Sequence, residues 1–342
     1  MKKGIAITLA MTFLVVFGAA LSAQSQPRIG VCIYKFADTF MSYVRNQLEV
    51  AAVGKAWLSI QDSQYDQPMQ NDQVDQFIAE GMKGLAINMV DPSAVSVIID
   101  KAMSRNLPLV LFNREPEASD MARYDKAYYV GAKAQQSGTM EGQIVAQYWK
   151  THPEADRNHD GVLEYVMLIG DPSNTDAKYR TEYSVRAVTA AGIRVLKIAE
   201  DTAMWDRPKA QEKMAAWLEA YGRKIEIVFA NNDDMALGAI DALKADGYFR
   251  KGKYMPVVGV DATPPALDAL NQGTLLGTVL NDTVKQGQAT FDLVYALSIG
   301  RPAYTPIAPM ANADGFADPK GHYVWVPYIK VTKDNYREFM KK

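Results

Sequence analysis

The sequence has one cysteine, Cys32. No disulfide can form within the chain, so packing alone must hold the fold. It has three histidines, His152, His159 and His322, and no Gly-x-Gly-x-x-Gly, phosphate loop, His-Glu-x-x-His or Cys-x-x-Cys. The common nucleotide, zinc-hydrolase and redox signatures are therefore missing. Charge of neither sign dominates, with 37 Lys and Arg against 39 Asp and Glu. There is no basic field to hold nucleic acid or anionic lipid, and a neutral small molecule is the expected partner of what should be a monomer.

What is present suits a globular protein. Hydrophobic side chains make up 48% of the 342 residues, which excludes disorder, and at roughly 100–200 residues per domain the length suggests two compact units. The chain opens with Met1-Lys2-Lys3, an apolar stretch over 4–20, and the small residues Ser22 and Ala23 before Gln24. This is the pattern of a secretory signal peptide over residues 1–25, cleaved near 22–26. The apolar stretch is shorter than the roughly 20 residues that span a bilayer, and no second one follows. Gln24 stands where a lipoprotein signal would need Cys, so no lipid tether is expected.

From residue 28, short apolar runs alternate with segments of helical period, as in βαβ units around parallel sheets. Strands are expected at 29–33, 84–88 and 107–112, with a helix that puts Met41, Val44, Leu48 and Ala51 on one face and a second helix at 94–103. Cys32 lies in the first strand and reads as shielded core. Beyond Gly131 the series restarts, with helices at 137–149, 176–190, 208–218 and 235–244. The strands between them fall at 165–169, 193–198, 225–230 and 257–260. Segments 275–280, 284–299 and 323–331 suggest that the chain crosses between the halves more than once.

The two halves also match in the polar and aromatic residues just beyond their strand ends. Asp38, Phe40, Asn113 and Arg114 stand there in the first half, and Asp176, Arg180, Asn231, Asn232 and Asp261 in the second. Ligands of open α/β sheets lie outside the carboxyl ends of the strands, so two facing halves would enclose one site. Taken singly, Asp38, Asn113 and Asp176 read equally well as helix N-caps, and Phe40 and Trp205 as core.

The blocks Ile33-Tyr34-Lys35-Phe36-Ala37-Asp38, Phe112-Asn113-Arg114-Glu115-Pro116, Asp201-Thr202-Ala203-Met204-Trp205-Asp206, Ala230-Asn231-Asn232-Asp233 and Thr278-Val279-Leu280-Asn281-Asp282 resemble the periplasmic galactose/glucose-binding proteins of bacterial ABC sugar transport. The resemblance runs from about Arg28 to the C-terminus. It implies the type I periplasmic binding protein fold: two similar three-layer α/β/α lobes, 27–131 plus 282–322 and 132–281 plus 323–342, joined by a three-strand hinge. It further implies closure on one hexose, delivery to a permease and, in some bacteria, to a chemotaxis receptor. The sugar contacts would be Asp38, Phe40, Asn113, Arg114, Asp176, Arg180, Trp205, Asn232, Asp261 and Asn281, with Asn174 where the family has a His and Arg114 in place of a Lys.

These residue types suit a pyranose. Phe and Trp faces cover its C–H patches, while Asp, Asn and Arg present paired donors or acceptors to neighbouring hydroxyls. A hydroxyl pointing the wrong way leaves a buried group unmatched, at about 1–3 kcal/mol. A glycosidase using a pair among Asp38, Asp176 and Asp261 is the enzymatic alternative, but rings and forks around one hexose leave little room for a leaving sugar. A sugar-responsive repressor would need a basic helix-turn-helix where the signal peptide stands.

Residues 156–164 begin like an EF-hand: Asp156, Asn158 and Asp160 at positions 1, 3 and 5, Gly161 at 6, the Val162 carbonyl at 7 and Glu164 at 9. Position 12 is Met167, which offers no hard ligand, so a carboxylate from elsewhere must complete a structural Ca²⁺ shell. The resemblance implies Glu226.

Overall fold

The computed structural model describes residues 26–303 and 321–340. The expected leader over 1–25 and the stretch 304–320 of the expected first lobe lie outside them. The first series comprises β1 (Arg28–Ile33), α1 (Thr39–Ala52), β2 (Trp57–Asp62), α2 (Gln67–Ala79), β3 (Gly84–Ile87), α3 (Val95–Ser104), β4 (Leu109–Phe112), α4 (Ala118–Met121) and β5 (Ala127–Gly131). The second comprises α5 (Ala134–Thr151), β6 (Val162–Ile169), α6 (Thr175–Ala190), β7 (Arg194–Thr202), α7 (Arg207–Tyr221), β8 (Ile227–Ala230), α8 (Asp233–Ala245), β9 (Val257–Val258), α9 (Pro264–Gln272) and β10 (Gly277–Leu280). Then come α10 (Thr283–Ser298), β11 (Tyr323–Trp325) and β12 (Ile329–Thr332).

These strands form two six-stranded sheets of the same order, β11-β5-β4-β3-β1-β2 and β12-β10-β9-β8-β6-β7. Every pairing is parallel except that of β10 with β12. The inner strands β3, β4 and β8 are buried along their whole length, as parallel strands covered by helices on both faces must be. In the first sheet Ile29, Val31 and Ile33 pack on one face, while Cys32 joins Leu85, Ile87 and Leu111 on the other. Burial pushes the Cys32 thiol up to about 12, so it is core and not a reactive group. The second sheet divides Val166, Leu168 and Val228 from Leu163, Met167 and Phe229 in the same way.

The exceptional antiparallel pair records how the lobes are joined. β11 lies parallel to β5, with Tyr323 opposite Tyr129 and Trp325 opposite Gly131, so it runs toward the carboxyl ends of the first sheet. After three intervening residues the same segment enters the second sheet as β12, against the direction of β10. A chain that leaves one sheet by its carboxyl ends and enters the other against the strands requires those ends to face each other. The remaining crossings, β5 to α5 and β10 to α10, leave from the same ends; α10 packs on α1 and β3, and α5 on α6 and β12. Residues 323–325, expected in the second lobe, belong to the first, because β11 is hydrogen-bonded to β5 and the crossing falls between Trp325 and Ile329.

Five elements, β2, α2, α4, β5 and α9, carry no sequence expectation. In β2 apolar and polar residues alternate on a half-exposed edge, without the continuous apolar run of an inner strand.

The second lobe depends on close approach of α5 and α6. A Cβ at Gly142 would stand 2.1 Å from the Ser184 carbonyl oxygen and 2.8 Å from Ala187 Cβ, a backbone obstacle that no rotamer change can relieve. Gly142→Ala should therefore destabilise this lobe by about 1–3 kcal/mol. Unchanged urea unfolding would contradict the helix contact.

Candidate functional site

The facing strand ends enclose a cavity with about 350 Å³ of free space including its mouth. The first lobe contributes Asp38 and Phe40 from the start of α1, and Asn113 and Arg114 from the turn after β4. The second contributes Asn174, Asp176 and Arg180 at the head of α6, Trp205 before α7, Asn232 before α8, Asp261 after β9 and Asn281 after β10. The structure thus brings all eleven expected side chains around one gap and adds Tyr34 and Met41.

Capping and lining prove to be compatible roles. Asp38 caps α1 through Met41 N at 2.7 Å and accepts the Tyr34 hydroxyl at 2.5 Å. Asn174 caps α6 and Asn232 caps α8, each with its side-chain oxygen. Asn113 and Asp176 are not caps: Asn113 sits at φ +66°, and Asp176 lies within the first turn of α6. A cap occupies the residue before a helix, which in this fold is the loop at the carboxyl end of a strand, so the same position faces the ligand gap.

Arg180 is the electrostatic centre. Its guanidinium donates to Asp176 Oδ2 at 2.9 Å, to the Tyr328 hydroxyl at 3.2 Å and to the Asn231 carbonyl at 2.8 Å, with Asp261 Oδ1 at 3.8 Å. Burial opposes its charge, but Tyr328, Asp176 and Asp261 outweigh it and keep Arg180 protonated. Burial lifts both carboxyls: Asp176 against the pull of Arg180 and Arg114, Asp261 against Arg180 and with repulsion from Asp233 and Asp38. Asn281 donates to Asp261 at 3.5 Å and is held in turn by Gln286. Arg114 lies 3.9 Å over the Tyr34 ring, donates to the Val90 carbonyl and pairs with Asp171 at 3.1 Å. Several buried polar atoms here meet no hydrogen-bond partner, among them Arg114 Nη2 and Asp176 Oδ1. Such atoms cost about 1–3 kcal/mol each unless a ligand supplies the bond.

Backbone strain gathers at the same rim. Asn113, Met204, Trp205, Asp261 and Ala262 all take positive φ, a conformation that costs a non-glycine residue about 1–3 kcal/mol and clusters at functional sites. Gln64 and Tyr65 repeat in the first lobe the strained turn of Met204 and Trp205. Ser63-Gln64-Tyr65-Asp66-Gln67-Pro68 parallels Ala203-Met204-Trp205-Asp206-Arg207-Pro208, a signal that could have marked Tyr65 in the sequence. Also missed were Asp171 and Glu141; burial raises the Glu141 carboxyl far above its usual range, with Arg180 opposing.

The loop over 156–164 lies away from this cavity, at the opposite end of β6. His159 and Gly161 turn it with φ of +61° and +72°. The Asn158 amide donates to Asp160 and to Glu164, both at 3.1 Å, and Glu226 accepts from Arg157 N at 2.6 Å and Glu164 N at 3.0 Å. Among the described residues no three His, Cys, Asp or Glu form a ready-made metal cluster. The oxygens nevertheless press on one another. Burial and the charges of Asp160 and Asp156 raise Glu164, burial and the charges of Glu164 and Asp156 raise Glu226, and Asp156 Oδ1 is buried without a partner. Met167, at the twelfth position, is fully buried in the core.

A family model described as a periplasmic binding protein domain matches residues 29–302. The D-galactose/methyl-galactoside binding periplasmic protein MglB of Haemophilus influenzae is 42% identical over 346 positions that cover both chains entirely. A putative rhizopine-binding protein of Rhizobium meliloti is 32% identical over 94% of this chain and 95% of its own. Among solved structures, an ABC transporter solute binding protein from Bacillus halodurans with bound myo-inositol is similar at a TM-score of 0.75 and 27% identity. The match covers 92% of this chain and 98% of that one.

The Trp205 ring is seated on the backbone of Gly170, where a Cβ would come within 2.2–2.4 Å of three ring carbons. Gly170→Ala should displace the indole, shift its fluorescence and cost about 1–3 kcal/mol of stability. A wild-type spectrum and melting midpoint would contradict this seating.

Proposed function

This chain belongs to the family of periplasmic binding proteins, and from that premise we propose that it captures one hexose, D-galactose or D-glucose, between its lobes and delivers it to an ABC permease. The family binds and delivers, and the chain is not an enzyme; its relatives imply a periplasmic location. The observation that supports the hexose is the convergence, from both lobes, of polar side chains with unmatched atoms on a cavity flanked by Phe40 and Trp205. Hydroxyls around a pyranose rim would match Arg114 and Asp176, and its flat faces would meet the two rings. Asn174 uses its oxygen to cap α6, which leaves its amide nitrogen as the donor for a primary hydroxyl.

Closure is the mechanism that this division of contacts supports. A ligand shifts a protein only toward the state it binds better, and contacts from both lobes exist together only when the hinge is shut. The closed form is then what the permease, and a chemotaxis receptor where one is served, would recognise. The leader over 1–25 would direct export.

The same reading includes a structural Ca²⁺ at the 156–164 loop. Asp156, Asn158, Asp160, the Val162 carbonyl, Glu164 and Glu226 would hold it, and an ion there would relieve the repulsion that raises Glu164 and Glu226. It would stabilise the second lobe without touching the sugar.

Calorimetry should detect D-galactose or D-glucose, and Trp205→Ala should lose at least about 2 kcal/mol of binding, ~30-fold. Heat from D-ribose or D-xylose but from no hexose would refute the assignment. For the ion, Glu226→Gln should lower the melting midpoint in calcium, with the difference vanishing in chelator. Equal midpoints in calcium would remove the metal from the account.

A further inference from the structure

Asp171 lies in the loop between β6 and α6 of the second lobe and is 2% exposed. Its Oδ1 is committed within its own loop, accepting Ser173 N at 2.9 Å and Ser173 Oγ at 2.7 Å. Its Oδ2 crosses the gap to Arg114 Nη1 of the first lobe at 3.1 Å, and both side chains of this pair are almost wholly buried. Tyr65, in the strained turn between β2 and α2 of the first lobe, stands beside this pair, its ring centroid 5.8 Å from the Arg114 guanidinium. Burial first, and then Asp171, raise the Tyr65 hydroxyl to about 12, while Tyr65, Ser173 and Arg114 together overcome the effect of burial and lower Asp171. The Tyr65 ring stands edge-on to Tyr34 at 5.8 Å, and Tyr34 carries the Arg114 guanidinium on its face.

Asp171 does not line the cavity, whereas Arg114 does, and Arg114 Nη2 is the nitrogen without a protein partner. A carboxylate anchored in one lobe thus grips the guanidinium of the other and leaves its remaining edge for the ligand. We propose that Asp171, assisted by Tyr65, is a positioning group that orients Arg114 for the bound sugar only when the lobes are shut, and so sets how slowly the sugar leaves. This rests on the hexose reading above and adds residues that touch no sugar. Because the grip spans the lobes, it forms after the ligand has entered. Its loss speeds dissociation and leaves association nearly unchanged. The desolvation cost of burying the pair on closure is met by the paired charge and the phenol.

The test is stopped-flow tryptophan fluorescence on the full chain with D-galactose and D-glucose, comparing wild type, Asp171→Asn, Tyr65→Phe and the double variant. Loss of the buried ion pair should raise the dissociation rate about 10- to 100-fold for Asp171→Asn, and loss of the phenol about 3- to 10-fold for Tyr65→Phe. Association rates should stay within about threefold. The double variant should dissociate no faster than Asp171→Asn, since the phenol acts through that carboxylate. Dissociation within twofold of wild type for both single variants, or an effect confined to association, overturns the proposal; effects that multiply in the double variant overturn the part given to Tyr65. If the wild type binds neither hexose, the hexose reading falls, and the same rates measured with D-ribose or D-xylose still decide the grip. Silence from all four sugars overturns both.

Discussion

The structure depends on a constraint of connectivity: each passage between the lobes leaves from the carboxyl ends of parallel strands. Parallel strands need helical crossovers, and these cover both faces of each sheet, so the strand ends are where a chain can step across without cutting through a helix layer. β5 to α5, β10 to α10 and β11 to β12 all do so. The two sets of strand-end loops therefore face one gap, and a hinge at these passages moves the halves of the site relative to each other. The reversed direction of β12 is the geometric trace of that arrangement.

Within the gap the lobes play unequal parts. The second holds a buried network around Arg180, in which burial works against every charge and the guanidinium donates to Asp176 Oδ2 and approaches Asp261. Removing one member of such a network would leave a buried charge unpaired, which is costly. The first lobe offers Arg114, stacked on Tyr34 and tied across the gap to Asp171. One side supplies a preformed frame, and the other a donor whose orientation depends on closure.

The lobes repeat the same local devices and use them differently. Asp38 and Asn174 occupy equivalent places, five residues beyond Ile33 and Ile169, and both cap the following helix. The strained turns at Gln64-Tyr65 and Met204-Trp205 are likewise equivalent. One turns an indole onto the cavity; the other turns a phenol onto the opposite lobe. Backbone geometry sets where such a side chain emerges, and its chemistry sets what it meets.

Much of this was legible in the residues themselves. Apolar runs such as 29–33 and the helical face of Met41, Val44, Leu48 and Ala51 disclose their elements because burial on two sheet faces demands continuous apolar strands, and a helix buries a single stripe. The edge strand β2 lacks such a run because solvent on one side relaxes that demand. The candidate residues after the strands were legible too, because an α/β sheet puts its ligand there whatever the sequence. What local order could not disclose were contacts between positions far apart in the chain: the place of β11 in the first sheet and Asp171 meeting Arg114. Sequence alone determined most of the elements, their order and the chemistry at their ends, since those depend on periodicity and residue type. Only the tertiary structure decided which charges share a buried space, because that depends on how the two sheets are set against each other across the hinge.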